Sequence, residues 1–130
     1  MGTTVSATFE VKSWDESPLF EGAVPPKLTR ASVTKKYSGD IDGVSSTEWL
    51  MAYAEDVTAS FVGVEHLQGA IAGHTGSLVL LHVGKFEDGA ATATLTVPKG
   101  AGSDGFVSAS GTGSFLADPA GSVQLDLNFD

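Results

Sequence analysis

Between Val5 and Lys12, apolar and polar side chains alternate. Val5, Ala7, Phe9 and Val11 fall to one side; Ser6, Thr8, Glu10 and Lys12 fall to the other. A period of two belongs to a strand with one buried face. It predicts a first strand over residues 4–14, ending at Ser13-Trp14-Asp15-Glu16. Residues 15–27 hold Pro18, Gly22, Pro25 and Pro26 and predict a long irregular loop, the kind that covers a neighbouring site. A second strand is predicted over 28–38. Asp42-Gly43 suits the positive φ angles of a type I′ turn and predicts a hairpin into a third strand over 44–54. That register opposes Tyr37 to Glu48, Lys35 to Leu50 and Val33 to Ala52.

The longest pattern runs from Thr58 to Glu87, as two strands about a turn at Gly73-His74. Directly opposed residues share a face of the sheet. Counting outward from the turn opposes Leu67 to Leu80, Glu65 to His82, Gly63 to Gly84 and Phe61 to Phe86. A turn at Glu55-Asp56 opposes Leu50 to Phe61. Asp88-Gly89 is another I′ signal and opposes Phe86 to Ala91, Gly84 to Ala93 and His82 to Leu95. A sixth strand ends at Pro98. Residues 99–105 read as a glycine-rich loop and 106–117 as a strand. Asp118-Pro119-Ala120-Gly121 is a turn, and the last strand alternates Val123, Leu125, Leu127 and Phe129 with polar residues.

Eight strands with mostly short connections and no helical period predict an all-β fold. A closed eight-stranded antiparallel barrel leaves no bare edge, and in lipocalin-like form holds one small ligand. A β-sandwich is the alternative. The 130 residues suffice for one barrel domain, 1–130.

Chaining the hairpins gives one inward face with Val33, Tyr37, Glu48, Leu50, Phe61, Gly63, Glu65, Leu67, Leu80, His82, Gly84, Phe86, Ala93 and Leu95. Arg30, Trp49 and Tyr53 fall on the other face. Glycines suit the inside, where strands of a small barrel bend. Glu65 and His82 are the candidate catalytic pair, because a carboxylate beside an imidazole on an apolar face can shuttle a proton. The same pair also reads as a structural contact that fixes register. Tyr37 and Glu48 either orient a substrate or form a hydrogen bond at the rim. Leu50, Phe61, Leu67, Leu80, Phe86 and Leu95 would line the substrate cavity. The opposite face carries Val62, Val64, Val79, Leu81 and Val83, too apolar for open water, and predicts a homodimer or larger assembly.

Composition narrows the partners. The formal charge of −9 repels phosphate backbones and anionic membranes, so neither nucleic acid nor a membrane is expected. The chain has no cysteine, hence no disulfide or thiolate chemistry, which suits a cytoplasmic setting. Met1-Gly2-Thr3-Thr4 has neither a basic nor an apolar stretch and predicts no secretory leader. The three histidines show no metal-ligand spacing, so no metal and no cofactor is expected.

Several segments together resemble a bacterial family of uncharacterised proteins: Thr8-Phe9-Glu10-Val11-Lys12-Ser13-Trp14-Asp15-Glu16, Lys27-Leu28-Thr29-Arg30-Ala31, Ser38-Gly39-Asp40-Ile41, Leu50-Met51-Ala52-Tyr53, Ser60-Phe61-Val62-Gly63-Val64-Glu65 and His82-Val83-Gly84-Lys85-Phe86-Glu87. The resemblance covers most of the chain up to Pro98. That family is similar in fold to the allene oxide cyclase barrel, which implies a closed barrel around an apolar cavity. It also implies chemistry by shaping a substrate with a few polar groups.

The sequence therefore predicts a cytoplasmic barrel that binds a small, largely apolar molecule. Cofactor-free isomerisation or cyclisation by Glu65 and His82 is the chemistry it can host. The alternatives are a non-catalytic carrier or sensor, and a structural barrel filled by its own side chains.

Overall fold

A computed structural model describes residues 3–19, 27–55, 57–118 and 123–130. Nine strands are laid out along these residues: β1 Thr3–Pro18, β2 Lys27–Gly39, β3 Ile41–Glu55, β4 Thr58–Ile71, β5 His74–Glu87, β6 Ala90–Val97, β7 Ser103–Asp104, β8 Gly111–Ala117 and β9 Val123–Phe129. They form one antiparallel sheet in the order β4-β3-β2-β1-β9-β8-β6-β5, and β4 pairs with β5 to close it. The fold is thus an eight-stranded antiparallel barrel, with the two-residue β7 as an extra strand on the start of β5.

Turn chemistry sets the registers. Asp88 and Gly89, at φ 56° and 80°, form the expected hairpin, and Phe86 opposes Ala91 and His82 opposes Leu95 as predicted. The β4–β5 turn differs by one residue. Ala72 and Gly73 take the positive φ angles, 51° and 83°, so Ile71 opposes His74 and Glu65 opposes Leu80 rather than His82. A one-residue move of the turn centre shifts the pairing by two. The period of a strand is also two, so Glu65 and His82 keep a common face as diagonal neighbours.

The β2–β3 hairpin is a larger correction. It turns at Gly39 (φ 98°) and Asp40, not at Asp42-Gly43. Asp40 is fastened there: its carboxylate accepts from the Ser6 amide at 2.9 Å, and its own amide donates to the Ser6 carbonyl. Gly43 lies within β3 instead, where an added Cβ would collide with the Gln68 carbonyl. Tyr37 consequently opposes Gly43 and Ala31 opposes Trp49. At the β3–β4 turn an irregularity between Tyr53 and Glu55 puts Met51, not Leu50, opposite Phe61. Asp56 lies outside the described residues.

Together these shifts turn β3 over. Trp49 and Met51 face inward, and Glu48 and Leu50 face out, Leu50 being 50% exposed. The expected inward placement of Glu48 and Leu50 is therefore overturned. Both shifts are odd, so they cancel at β2, and Val33 and Tyr37 point inward as expected.

Three further expectations change. β1 does not end at Trp14. A bulge between Val11 and Ser13 lets it continue to Pro18 against β2, which leaves Val11 exposed and brings Trp14 opposite Val33. The long loop expected over 15–27 is thus strand up to Pro18, and 20–26 lie outside the described residues. The strand expected from 106 begins at Gly111. Before it, Phe106 is buried and meets His74 edge-on at 6.4 Å, next to the Ile71 end of β4. In the predicted turn at 118–121, residues 119–121 lie outside the described residues.

The core is the barrel interior. It runs from Val5, Ile41, Ile71, Leu78, Val97 and Leu127 at the Phe106 end to Trp49, Met51, Ala59 and Phe61 nearer the other. Trp14, Tyr53 and Phe86, all partly or largely exposed, mark that second end.

Candidate functional site

Inside the barrel, Glu65 on β4 is the hub. Its Oε1 accepts from Lys35 Nζ at 3.2 Å and lies 2.8 Å from His82 Nε2. Its Oε2 accepts from Tyr37 Oη at 2.7 Å and Ser45 Oγ at 2.6 Å. Four strands contribute, each with an inward position at the same height of the barrel. The side chains of Lys35, Glu65 and His82 have no exposed surface.

Four donors saturate the carboxylate. Burial pushes the Glu65 carboxyl up, but Lys35, His82 and Ser45 together outweigh it and hold it down at about 2. Burial pushes the Lys35 amine below its ordinary range against the pull of Glu65. The Lys35 ammonium is packed among aromatic faces: Phe9 at 4.3 Å, Trp49 at 4.9 Å and Phe115 at 5.5 Å from the ring centres. These quadrupoles offset part of its lost hydration. The Tyr37 hydroxyl is driven well above its ordinary range by burial and by Glu65, so it stays protonated and donates.

His82 has a defined proton arrangement. The indole Nε1–H of Trp49 only donates and lies 3.3 Å from His82 Nδ1, so Nδ1 accepts. The ring proton then sits on Nε2, aimed at Glu65. Burial lowers the pKa of His82, against the raising effect of Glu65, and favours this neutral form. The basic lone pair of His82 therefore points at Trp49, away from Glu65. Glycines make room for this stack. A Cβ on Gly63 would fall on Trp49 Cδ1 and the Glu48 carbonyl, and one on Gly84 would come within 2.7 Å of Phe61 Cζ.

Trp49 connects the network to the Trp14 end of the barrel. Its ring lies 5.2 Å from Phe61 and 5.4 Å from Trp14, which is 47% exposed. Beside Trp14, Glu16 accepts from Thr29 Oγ1 at 2.6 Å, Tyr53 Oη at 2.7 Å and Trp14 Nε1 at 3.1 Å. Burial raises the Glu16 carboxyl, and these donors with Lys27 more than reverse that, leaving it lowered. Below this layer the hydroxyl of Thr47 is buried and has no protein hydrogen-bond partner.

The sequence-predicted residues separate into two groups. Glu65, His82, Tyr37, Phe61, Leu67, Leu80 and Leu95 are buried on the inner face, and Phe86 is half-buried there. Tyr37 meets Glu65 rather than Glu48. Glu48 lies outside in an ion pair with Arg30, Nη2 to Oε1 2.6 Å, and accepts from Ser32. Lys35, Ser45, Trp49 and Glu16 are additional. Lys35 was readable as inward from its place two residues from both Val33 and Tyr37. Ser45 and Trp49 needed the true β2–β3 register, and no pattern in the sequence brings Glu16 to Tyr53. Among the described residues no group of three or more His, Asp or Glu is placed to hold a metal, and no helix is long and apolar enough to cross a membrane.

The family described as "Protein of unknown function (DUF3224)" matches residues 5–129. No curated protein matches the chain. Among solved structures, a protein of unknown function from the DUF3224 family of Shewanella oneidensis MR-1 is similar. It is 26% identical with a TM-score of 0.82, over 100% of this chain and 98% of that one.

Proposed function

The chain belongs to the DUF3224 family of proteins of unknown function, and we propose that it binds one small, largely apolar molecule through the Trp14 end of its barrel. In this reading His82, steered by Glu65, moves a proton on that molecule in a cofactor-free isomerisation or cyclisation. The observation that carries it is the buried Lys35–Glu65–His82 network. Burying an ion pair costs several kcal/mol per ion before its own attraction is counted. Apolar side chains fill a barrel of this size without that cost, so a retained charge network points to use.

The geometry supports a division of roles. Glu65 holds the His82 proton on Nε2, and the Nδ1 lone pair faces the Trp14 end through Trp49. A ligand that displaces the Trp49 N–H meets a base already oriented. His82 takes a proton from a carbon beside a carbonyl and returns it elsewhere on the same molecule, so no oxidant or second substrate is consumed. Thr47 Oγ1 offers a free hydroxyl to a polar atom of the ligand. Phe61 and Leu80 supply apolar surface. Tyr37 and Ser45 position Glu65 rather than the substrate.

The test exploits the two tryptophans of the chain, Trp14 and Trp49, both near this end. Titration with a cyclic enone or a medium-chain fatty acid should change their fluorescence. Deuterium exchange at the enone carbon next to its carbonyl should be fast with wild type and slow with His82→Gln. Absence of any fluorescence response would sink the reading. A second reading, a carrier without chemistry, is favoured by the saturated carboxylate; it predicts binding with no His82-dependent exchange.

A further inference from the structure

The outer wall of β3, β4 and β5 has a feature that the interior does not explain. Val62 sits between Leu50 and Val83 in one cross-strand row, and Val64 has Leu81 beside it in the next. These five side chains are between 40% and 62% exposed. The rows continue onto β6 as Thr94 and Thr96, which are uncharged. We propose that this wall is the meeting face of two copies of the chain in a two-fold symmetric dimer.

Charge argues for a second copy as the occupant. The chain carries sixteen carboxylates against seven Lys and Arg, yet the described residues of the wall include no unpaired acid, since Glu48 at its edge is held by Arg30 at 2.6 Å. Two copies of so acidic a chain repel one another over most of their surface. This wall is where they approach without that repulsion. A basic partner gains nothing from a neutral wall, and a phosphate-bearing one is repelled by the rest of the molecule.

Geometry supports the same occupant. Four strands about 4.8 Å apart and two outward rows about 6.6 Å apart give an apolar footprint of roughly 250 Å². That is the size of the apolar centre of a standard interface, in which each partner buries ~800 Å² with a polar rim around it. A two-fold axis through the Val62 row lets the same patch serve both partners.

Sedimentation velocity and light scattering on the full chain at micromolar concentration test this. Wild type should be a dimer. Val62→Glu and Val83→Glu each place like charges across the axis and should give monomers with unchanged circular dichroism. Val83→Ala, which brings no charge, should raise the dimer dissociation constant on the order of tenfold. A monomeric wild type overturns the proposal, and if that monomer floats with neutral lipid vesicles the wall belongs to a lipid surface. A dimer unmoved by all three substitutions also overturns it. The outcome is independent of ligand binding in the barrel.

Discussion

The two faces of β3, β4 and β5 invert the usual order. Inside, Glu65 and His82 stand with Lys35 where water does not reach; outside, Leu50, Val62, Val64, Leu81 and Val83 meet solvent. Neighbouring residues on one strand live by opposite rules: Val64 and His66 are exposed on either side of a fully buried Glu65. Hydrophobicity alone would have packed the valines in and turned the glutamate out. Inward and outward positions alternate, so a register that buries Trp49, Phe61 and Leu67 necessarily buries Glu65 as well. The barrel tolerates that charge because three strands, β2, β3 and β5, deliver four donors to it.

The largest effect follows from breaking that compensation. Lys35→Met leaves the Glu65 carboxylate buried without its cation and should cost about 3–5 kcal/mol in urea unfolding. The double variant Lys35→Met/Glu65→Gln, which removes both charges and keeps an amide oxygen to accept from Tyr37 and Ser45, should recover much of the loss. A double variant as unstable as the single one would show that the inner polar groups matter through shape rather than charge.

Acid should sharpen the same contrast. The Glu65 carboxyl is held at about 2 when folded, against an ordinary 4.5. The folded state therefore binds that proton less readily than the unfolded chain. The stabilisation is complete above 4.5 and is lost as pH falls from there towards about 2. His82 is also lowered from 6.5, so the unfolded chain takes up that proton first and some stability is lost just below pH 6.5. Unfolding free energy measured against pH should fall in two stages. His82→Gln should remove the upper stage, and Glu65→Gln should shrink the lower one to what Glu16 and Glu48 contribute.

How much of this was legible in the sequence follows from parity. The β5–β6 hairpin was readable outright, because Asp88-Gly89 is the turn the strands adopt. The Glu65–His82 contact survived a misplaced turn because the shift was two residues and the face repeats every two. The facing of β3 was not readable. Asp42-Gly43 is as good a turn dipeptide as Gly39-Asp40, and what selects between them is the tie from Asp40 to Ser6, thirty-four residues away. The bulge after Val11 is likewise a tertiary choice: it carries Trp14 onto Trp49. Local rules name turn residues and periods, but long-range contacts decide which of two equivalent turns is used.

Glu48 gives the smallest effect and the cleanest control. The sequence places it inside beside Tyr37, and the structure places it outside beside Arg30 and Ser32. Its carboxyl is lowered by the hydrogen bonds from Ser32 and Arg30, with little burial to oppose them. At this exposure, solvent screens both the ion pair and the shift, so Glu48→Gln should change stability by less than about 1 kcal/mol. Glu65→Gln changes the same functional group in the same way, on the adjoining strand and the opposite face. It leaves Lys35 buried without a counter-charge, so its cost should be several times larger in the same urea titration. Equal costs for the two substitutions would mean that the side of the barrel wall is not what governs a carboxylate's worth here, and the inner network would lose its claim to be anything but another ion pair.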